Sequence, residues 1–365
     1  MRLVRLWLTD YRNYASATLD PAPEGVTVVV GGNGDGKTNL IEAVAYLATL
    51  SSFRGAPAEA LVRHGRPCAV VRGEVDRGGR TTLVEVEVQP GGGQRRMVNR
   101  QPLRRGRDLL GAFQVTVFSP DDLALVKGGP AERRRYLDDL LSALRPGNEA
   151  IRGDVERVLR QRNALLRQAG GRLTPDVAAT LDVWDAKLST AGEALAEARE
   201  ELVAALEAEV GKAYGELAGG GGSEVSMAYR RSWEGPLSAA LAGAREEDLR
   251  RAVTTVGPHR DELEMVIAAG GPSGPVSLPA RTHASQGEQR SLALALRLGG
   301  HAVATDSRGT PPVLLLDDVF SELDQARGQA LLAHLPEAQV ILTTTGPLPP
   351  GVSPALTVRA GEGLR

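Results

Sequence analysis

The run Gly31-Gly32-Asn33-Gly34-Asp35-Gly36-Lys37-Thr38 fits the pattern G-x-x-x-x-G-K-[ST]. VTVVV precedes it as a short strand, and NLIEAVAYLATL follows it as a helix. Glycines let successive backbone amides turn inward around a phosphate, and the helix N-terminus adds partial positive charge. Lys37 is then placed to reach the β- and γ-phosphates, and Thr38 to ligate Mg²⁺. Gly31, Gly32, Asn33, Gly34, Asp35, Gly36, Lys37, Thr38 and Asn39 are the expected nucleotide contacts.

A second motif constrains the first. VLLLDD at 313–318 is a continuous apolar run ending in two acids, as a parallel strand buried on both faces reads. Such a strand delivers an acid to its C-terminal end, where Asp317 would hold the metal. Asp318 would orient or deprotonate the attacking water. Both motifs must share one site, so the two ends of the chain meet in one α/β head. Ser285-Gln286-Gly287-Glu288-Gln289-Arg290, just before SLALALRLGGHAVA, has two readings. It is an anion site at a helix N-terminus, or an N-cap with Glu288 completing a capping box.

At roughly 100–200 residues per domain, 365 residues point to two domains. Residues 3–8 and 26–30 are short apolar or alternating runs, and 69–75 and 83–88 alternate with period two as half-buried strands do. QPGGGQ at 89–94 reads as a hairpin loop. The middle is helical. Apolar residues recur at three- and four-residue spacing over 131–144 and 150–169, and 175–217 is rich in Ala, Leu and Glu. Thr174-Pro175-Asp176 is a helix start, and GGRLTP at 170–175 and GGGGS at 219–223 are turns. From 254 the pattern turns strand-like again, with 340–345 another apolar run. The expected division is a head made of 1–128 and 254–365, and a helical arm over 129–253.

No apolar run reaches the ~18–20 residues of a membrane span, so no membrane partner is expected. MRLVRLWLTDYRN is too short and charged for a signal peptide, and Cys68 is the single cysteine. These features point to the cytoplasm. Net charge is −2, so nucleic-acid affinity must come from local patches. Residues 51–107 hold twelve arginines against five acids, whereas 185–250 hold seven basic residues against thirteen acids. Arginine contacts to phosphate give sequence-independent, salt-sensitive affinity, and the expected DNA contacts are Arg54, Arg95, Arg96, Arg104 and Arg105. Aromatics at 4% argue against a base-stacking platform.

Eight segments, in order along nearly the whole chain, carry a family resemblance. They are DYRNY at 10–14, GGNGDGKTNLIEA at 31–43, FSPDDL at 118–123 and GGPAERRRYLD at 128–138. QRNALLR at 161–167, VGPHRDEL at 256–263, ASQGEQR at 284–290 and LLLDDVFSELD at 314–324 complete the set. With these the chain resembles the RecF family of recombination mediators, in the SMC-like branch of ABC-type ATPases. The resemblance implies an α/β ABC/SMC-type P-loop ATPase head with a second, helical arm domain, and ATP with Mg²⁺. It implies an ATP-dependent homodimer in which two heads sandwich two nucleotides. Lys37 and Asp318 are then catalytic in one subunit and Ser285 in trans, with Gly287 and Glu288 beside the γ-phosphate. Ser321 and Asp324 match the crossing D-loop, and Arg12 and Asn13 match a segment near the nucleotide. Arg54 resembles the arginine that couples DNA to hydrolysis, and His259 and Arg260 lie in a shared motif. Implied partners are double-stranded and junction DNA, RecO and RecR.

Three departures from the general ABC pattern imply slow, DNA-stimulated hydrolysis. Asp318 stands where glutamate is usual. Ser119-Pro120-Asp121-Asp122 replaces the glutamine loop, Gln114 being about five residues early. Thr344 and Thr345 stand where a histidine switch is expected. Two other classes compete. A transporter ATPase would carry those loops and a separation shorter than the 248 residues between Lys37 and Ser285. A stand-alone P-loop enzyme such as a kinase would need neither S-Q-G-E-Q nor a D-loop.

Overall fold

The computed structural model describes residues 1–218, 224–271, 274–348, 350–361 and 364. The GGGGS turn at 219–223 lies outside them. Strands β1 (Arg2–Tyr11) and β2 (Tyr14–Leu19) form a hairpin, and β3 (Val26–Val30) runs into helix α1 (Lys37–Thr49). After the short helix α2 (Ala58–Leu61) come β4 (Ala69–Arg77), β5 (Arg80–Val88), β6 (Gln94–Val98) and β7 (Gln101–Pro102). Then follow β8 (Val115–Phe118), α3 (Leu123–Lys127), α4 (Pro130–Leu144), α5 (Gly147–Ala169) and α6 (Pro175–Leu217). Next are β9 (Glu224–Arg230), α7 (Leu237–Gly243), α8 (Arg245–Arg251), β10 (Glu262–Gly271), β11 (Gly274–Pro279) and α9 (Ala280–His283). The chain closes with α10 (Gln286–Arg308), β12 (Val313–Asp317), α11 (Gln325–Ala333), β13 (Val340–Thr344) and β14 (Leu356–Arg359).

These strands make three sheets. An antiparallel sheet runs β2-β1-β4-β5-β6-β7, a parallel sheet β14-β3-β13-β12-β8, and a small antiparallel sheet β11-β10-β9. The parallel sheet explains the apolar runs of the sequence. Successive side chains of a strand point to opposite faces. Leu314 and Leu316 enter the core shared with α6 and α10, while Val313 and Leu315 enter the core shared with α1 and the first sheet. Both faces are covered, so every position of β12 and β13 is buried. The pairing order β3-β13-β12 carries Val26–Val30 to the strand that ends at Asp317, and the two ends of the chain meet there.

The helical reading of the middle holds closely, since α4, α5 and α6 cover the three expected segments. Thr174 caps α6, its Oγ1 accepting from the Val177 amide at 3.3 Å, with Pro175 at the first helical position. At ~1.5 Å per residue this 43-residue helix is about 65 Å long. Strand β9 has no counterpart in that reading. Only Met227 of its residues is buried, and the strand is stabilised by pairing with β10, a long-range partner that local periodicity does not reveal.

Helices α10 and α6 touch at the backbone at Gly299. A Cβ there would lie 2.6 Å from Val210 Cγ2 and 3.1 Å from the Val210 amide nitrogen. Alanine would gain about 1 kcal/mol of helix propensity. The helix backbone cannot step aside, and overpacking costs about 1–3 kcal/mol, so the clash wins. Gly299→Ala is expected to lower the denaturation midpoint at constant m-value. An unchanged midpoint would mean the helices separate freely.

Candidate phosphate site

The glycine-rich loop leaves the C-terminal end of β3 and enters α1. Gly34 and Gly36 have φ of 90° and 97°, the left-handed region that suits glycine. Gly36 also lacks room, since a Cβ would lie 2.4 Å from Asn13 Nδ2. The turn between β1 and β2 presses on the loop from outside. Asn13 Nδ2 donates to the Asp35 carbonyl at 3.4 Å, Asn39 Nδ2 donates to Asn13 Oδ1 at 2.8 Å, and Tyr14 donates to the Gly36 carbonyl at 3.1 Å. Lys37 is buried and curls back, Nζ donating to the Gly31 and Gly32 carbonyls at 2.9 and 2.7 Å. Asp35 Oδ2 accepts from the Gly32 amide at 2.6 Å, so a carboxylate takes one of the inward donors. Helix α1 has no side-chain cap and no acid in its first turn, which leaves its N-terminal amides for an anion.

Opposite the loop, Thr38 Oγ1 donates to Asp317 Oδ1 at 3.0 Å across 279 residues of sequence. Thr343 Oγ1 donates to the same oxygen at 2.8 Å and accepts from the Asp318 amide at 3.0 Å. Burial pushes the Asp317 carboxyl above its ordinary range, against the hydroxyl bonds from Thr343 and Thr38 and the more distant charge of Arg54, which lower it. Asp318 adopts φ 50° and ψ 27°, a left-handed conformation that aspartate tolerates better than most residues. Among the described residues its carboxylate has no hydrogen-bond partner. Thr343 thus holds the Asp317 carboxylate and the Asp318 backbone. Sequence reading passed over it, because a buried threonine in an apolar strand carries no local signal.

Ser285 caps α10. Its Oγ accepts from the Glu288 amide at 3.3 Å, and Glu288 Oε2 accepts from the Ser285 amide at 2.7 Å. The capping-box reading is therefore the local geometry, and Ser285 remains exposed with a hydroxyl hydrogen to donate. Asp324 caps α11, accepting from the Arg327 amide at 2.9 Å, which with the Arg327 guanidinium holds its carboxyl below the ordinary range. Arg290 joins α10 to the segment after β12. It donates to the Glu322 carbonyl at 2.6 Å and to its carboxylate at 2.5 Å.

Several residues singled out in the sequence make structural contacts. Arg12 makes a two-pronged pair with buried Glu42 at 2.8 Å, so its guanidinium is turned to α1 rather than into the loop. Asp122 is buried and accepts from Arg297 at 2.6 Å and from the Ser119 amide at 2.8 Å. Gln114 is buried and donates to the Ala143 carbonyl at 2.6 Å. Of the departures from the glutamine loop, Asp121 is exposed. Thr344 bonds locally, its Oγ1 donating to the Gly346 carbonyl at 3.2 Å. His259 Nε2 lies 3.0 Å from the Thr254 carbonyl, to which Arg260 also donates at 3.3 Å, so this motif builds its own turn.

The basic lobe divides into paired and unpaired arginines. Arg63 and Arg66 reach Asp10 at 3.7 and 3.3 Å, and Arg72 pairs with Glu85. Arg54, Arg95, Arg104 and Arg105 are exposed and form no ion pair among the described residues. Arg96 is half-buried against Gln94 Oε1 at 2.7 Å. The side chain of Arg107 lies outside the described residues.

The family model described as RecF/RecN/SMC N terminal domain matches residues 2–346. The "DNA replication and repair protein RecF" of Streptomyces avermitilis is 44% identical over 360 residues, covering 94% of this chain and 93% of the relative. That of Acidothermus cellulolyticus is 45% identical over 361 residues, covering 94% of each. A solved structure of the recombination mediator protein RecF-ATP in the RecFOR pathway superimposes with a TM-score of 0.86 at 28% identity, covering 100% of this chain and 98% of that one. An SmcHead bound to the C-winged helix domain of ScpA gives 0.56 at 16% identity, a likeness of fold alone.

Proposed function

The chain belongs to the RecF family of DNA replication and repair proteins, and from that premise we propose that it is an ATP-gated DNA clamp. The observation that carries this reading is the 3.0 Å contact between Thr38 and Asp317, which joins the glycine-rich loop to the acidic end of β12. ATP lies along residues 31–39, with Lys37 released from its two loop carbonyls onto the phosphates. The Thr38 hydroxyl and the Asp317 carboxylate are adjacent hard oxygen donors, a set that fits Mg²⁺. Bound there, the ion would neutralise charge developing on the phosphates. Asp318, with a free carboxylate, orients the attacking water.

The clamp closes when a second copy lays Ser285, Gly287, Glu288 and Asp324 over the γ-phosphate. ATP then favours the dimer by its differential affinity for the closed state. Asn13 shapes the loop directly, and Arg12 acts at one remove through Glu42. Arg54, Arg95, Arg104 and Arg105, with the half-buried Arg96, take DNA phosphates. Residues 129–253 form the helical arm and 1–128 with 254–365 the head. The clamp then works in the cytoplasm on gapped duplex, helping to load recombinase with RecO and RecR.

The test is fluorescence anisotropy of a labelled gapped duplex with ATP, ADP or no nucleotide at fixed salt. Wild type is expected to bind with ATP alone, more steeply than first order in protein. Lys37→Met and Ser285→Arg are each expected to lose that binding. Equal weak binding in all conditions would refute the clamp.

A further inference from the structure

Arg327, in the first turn of α11, lies across the segment 285–291 that opens α10. Its guanidinium packs on Gly287, with Nη2 2.5 Å and Cζ 2.8 Å from where a Cβ on that glycine would stand. Only glycine leaves room for it there. Nε donates to Ser291 Oγ on α10 at 3.1 Å, and Nη1 pairs with Asp324. Nη2, the arm nearest Gly287, donates to nothing among the described residues. A planar fork therefore has two prongs fixed and a third free, beside the first amides of a 23-residue helix. The side chain is 31% exposed and its partner Asp324 is 52% exposed, so the group sits at the surface that carries Ser285.

We propose that Arg327 is a phosphate-binding residue supplied in trans, its free prong meeting the γ-phosphate of a nucleotide held by the second copy. The inference rests on the two-subunit reading above and adds a formal positive charge to what that reading brings across. Ser285 and the helix amides offer only dipoles, whereas a guanidinium hydrogen bond to phosphate is charge-assisted. Asp324 and Ser291 hold the side chain in place, so little side-chain freedom is lost on contact. An exposed pair such as Arg327–Asp324 contributes little to folding, so its role in binding can be separated from stability.

The experiment uses the full chain, Mg²⁺ and ATP. Arg327→Ala is expected to weaken ATP-induced dimerisation on the order of 10- to 100-fold, as seen by sedimentation velocity. Arg327→Lys is expected to retain part of it, and carries the test if the alanine variant unfolds. The decisive step mixes two variants at a protein concentration where neither hydrolyses ATP alone. In a mixed dimer of Lys37→Met with Arg327→Ala, trans action places both defects in one site and leaves the other whole. Hydrolysis should then recover to about a quarter of wild type, because half the dimers are mixed and each keeps one of two sites. Lys37→Met with Ser285→Arg is the reference mixture. Recovery in the reference mixture alone overturns the role of Arg327 and leaves the clamp standing. No recovery in either mixture overturns both. Wild-type dimerisation by Arg327→Ala also overturns the proposal.

Discussion

Replacing Arg162 by alanine is expected to destabilise the protein by about 3–5 kcal/mol. Arg162 is fully buried. Its Nε donates to Asp185 at 2.7 Å, and Nη1 donates to Asp248 at 2.6 Å and to Thr254 Oγ1 at 3.0 Å. Asp185 and Asp248 are themselves 5% and 0% exposed. Truncation would leave two carboxylates in a low-dielectric interior without the cation between them. Arg245, which also reaches Asp185 at 2.8 Å, can offset only one of them. An exposed pair such as Arg250–Glu247 should by contrast contribute little, because water and salt screen it. Urea unfolding of the two alanine variants, side by side, gives the comparison. A loss below about 1 kcal/mol for Arg162→Ala would show that water enters the site and solvates the acids. Removing all three charges together, as Arg162→Met with Asp185→Asn and Asp248→Asn, should restore part of the loss, because no unpaired charge then remains buried.

That cluster also shows what local pattern can reveal. QRNALLR stands out as a motif, and its first residues prove to be architectural. Asn163 Oδ1 accepts from the Thr254 amide at 2.8 Å while Arg162 holds α6 and α8, so the segment ties α5 to the turn that precedes β10. The glycine-rich loop and the LLLDD strand were legible because each needs a local grammar: glycine at positive φ, and apolar residues on both faces of one strand. The same holds for α4, α5 and α6, whose apolar spacing is helical. What was not legible depends on partners far along the chain. Strand β9 is stabilised through β10, Thr343 acts through two acids on the neighbouring strand, and Arg12 is turned away by Glu42 on α1. A count of twelve arginines could not separate those neutralised by Asp10 and Glu85 from those left free. Arg327 drew no notice for a similar reason, since its significance lies in the glycine it covers, 40 positions earlier in the chain.

Asp318→Asn is expected to slow ATP hydrolysis by about 10²- to 10⁴-fold, the usual contribution of a positioned base. The backbone makes asparagine the right probe. At φ 50° most residues incur about 1–2 kcal/mol of strain, so Asp318→Ala would mix a backbone effect with the loss of charge. Asparagine accepts this conformation and keeps the size of the side chain, while its amide can neither carry the charge nor take the proton. The Asp318 amide can still donate to Thr343, so Asp317 and Thr38 should keep their geometry. Nucleotide-driven DNA binding should therefore survive, and the complex should outlast that of wild type because the step that opens the clamp is blocked. Phosphate release on saturating gapped duplex, measured beside the dissociation rate of the labelled DNA, separates the two effects. Slow hydrolysis with prolonged binding assigns Asp318 to the water. Slow hydrolysis with lost binding would instead place Asp318 in nucleotide capture. An unchanged rate would mean that the base lies elsewhere, with Asp317 or across the interface. Asp318→Glu reaches one methylene further toward the nucleotide, at some backbone cost. A faster rate in that variant would identify the short side chain as a limit on turnover.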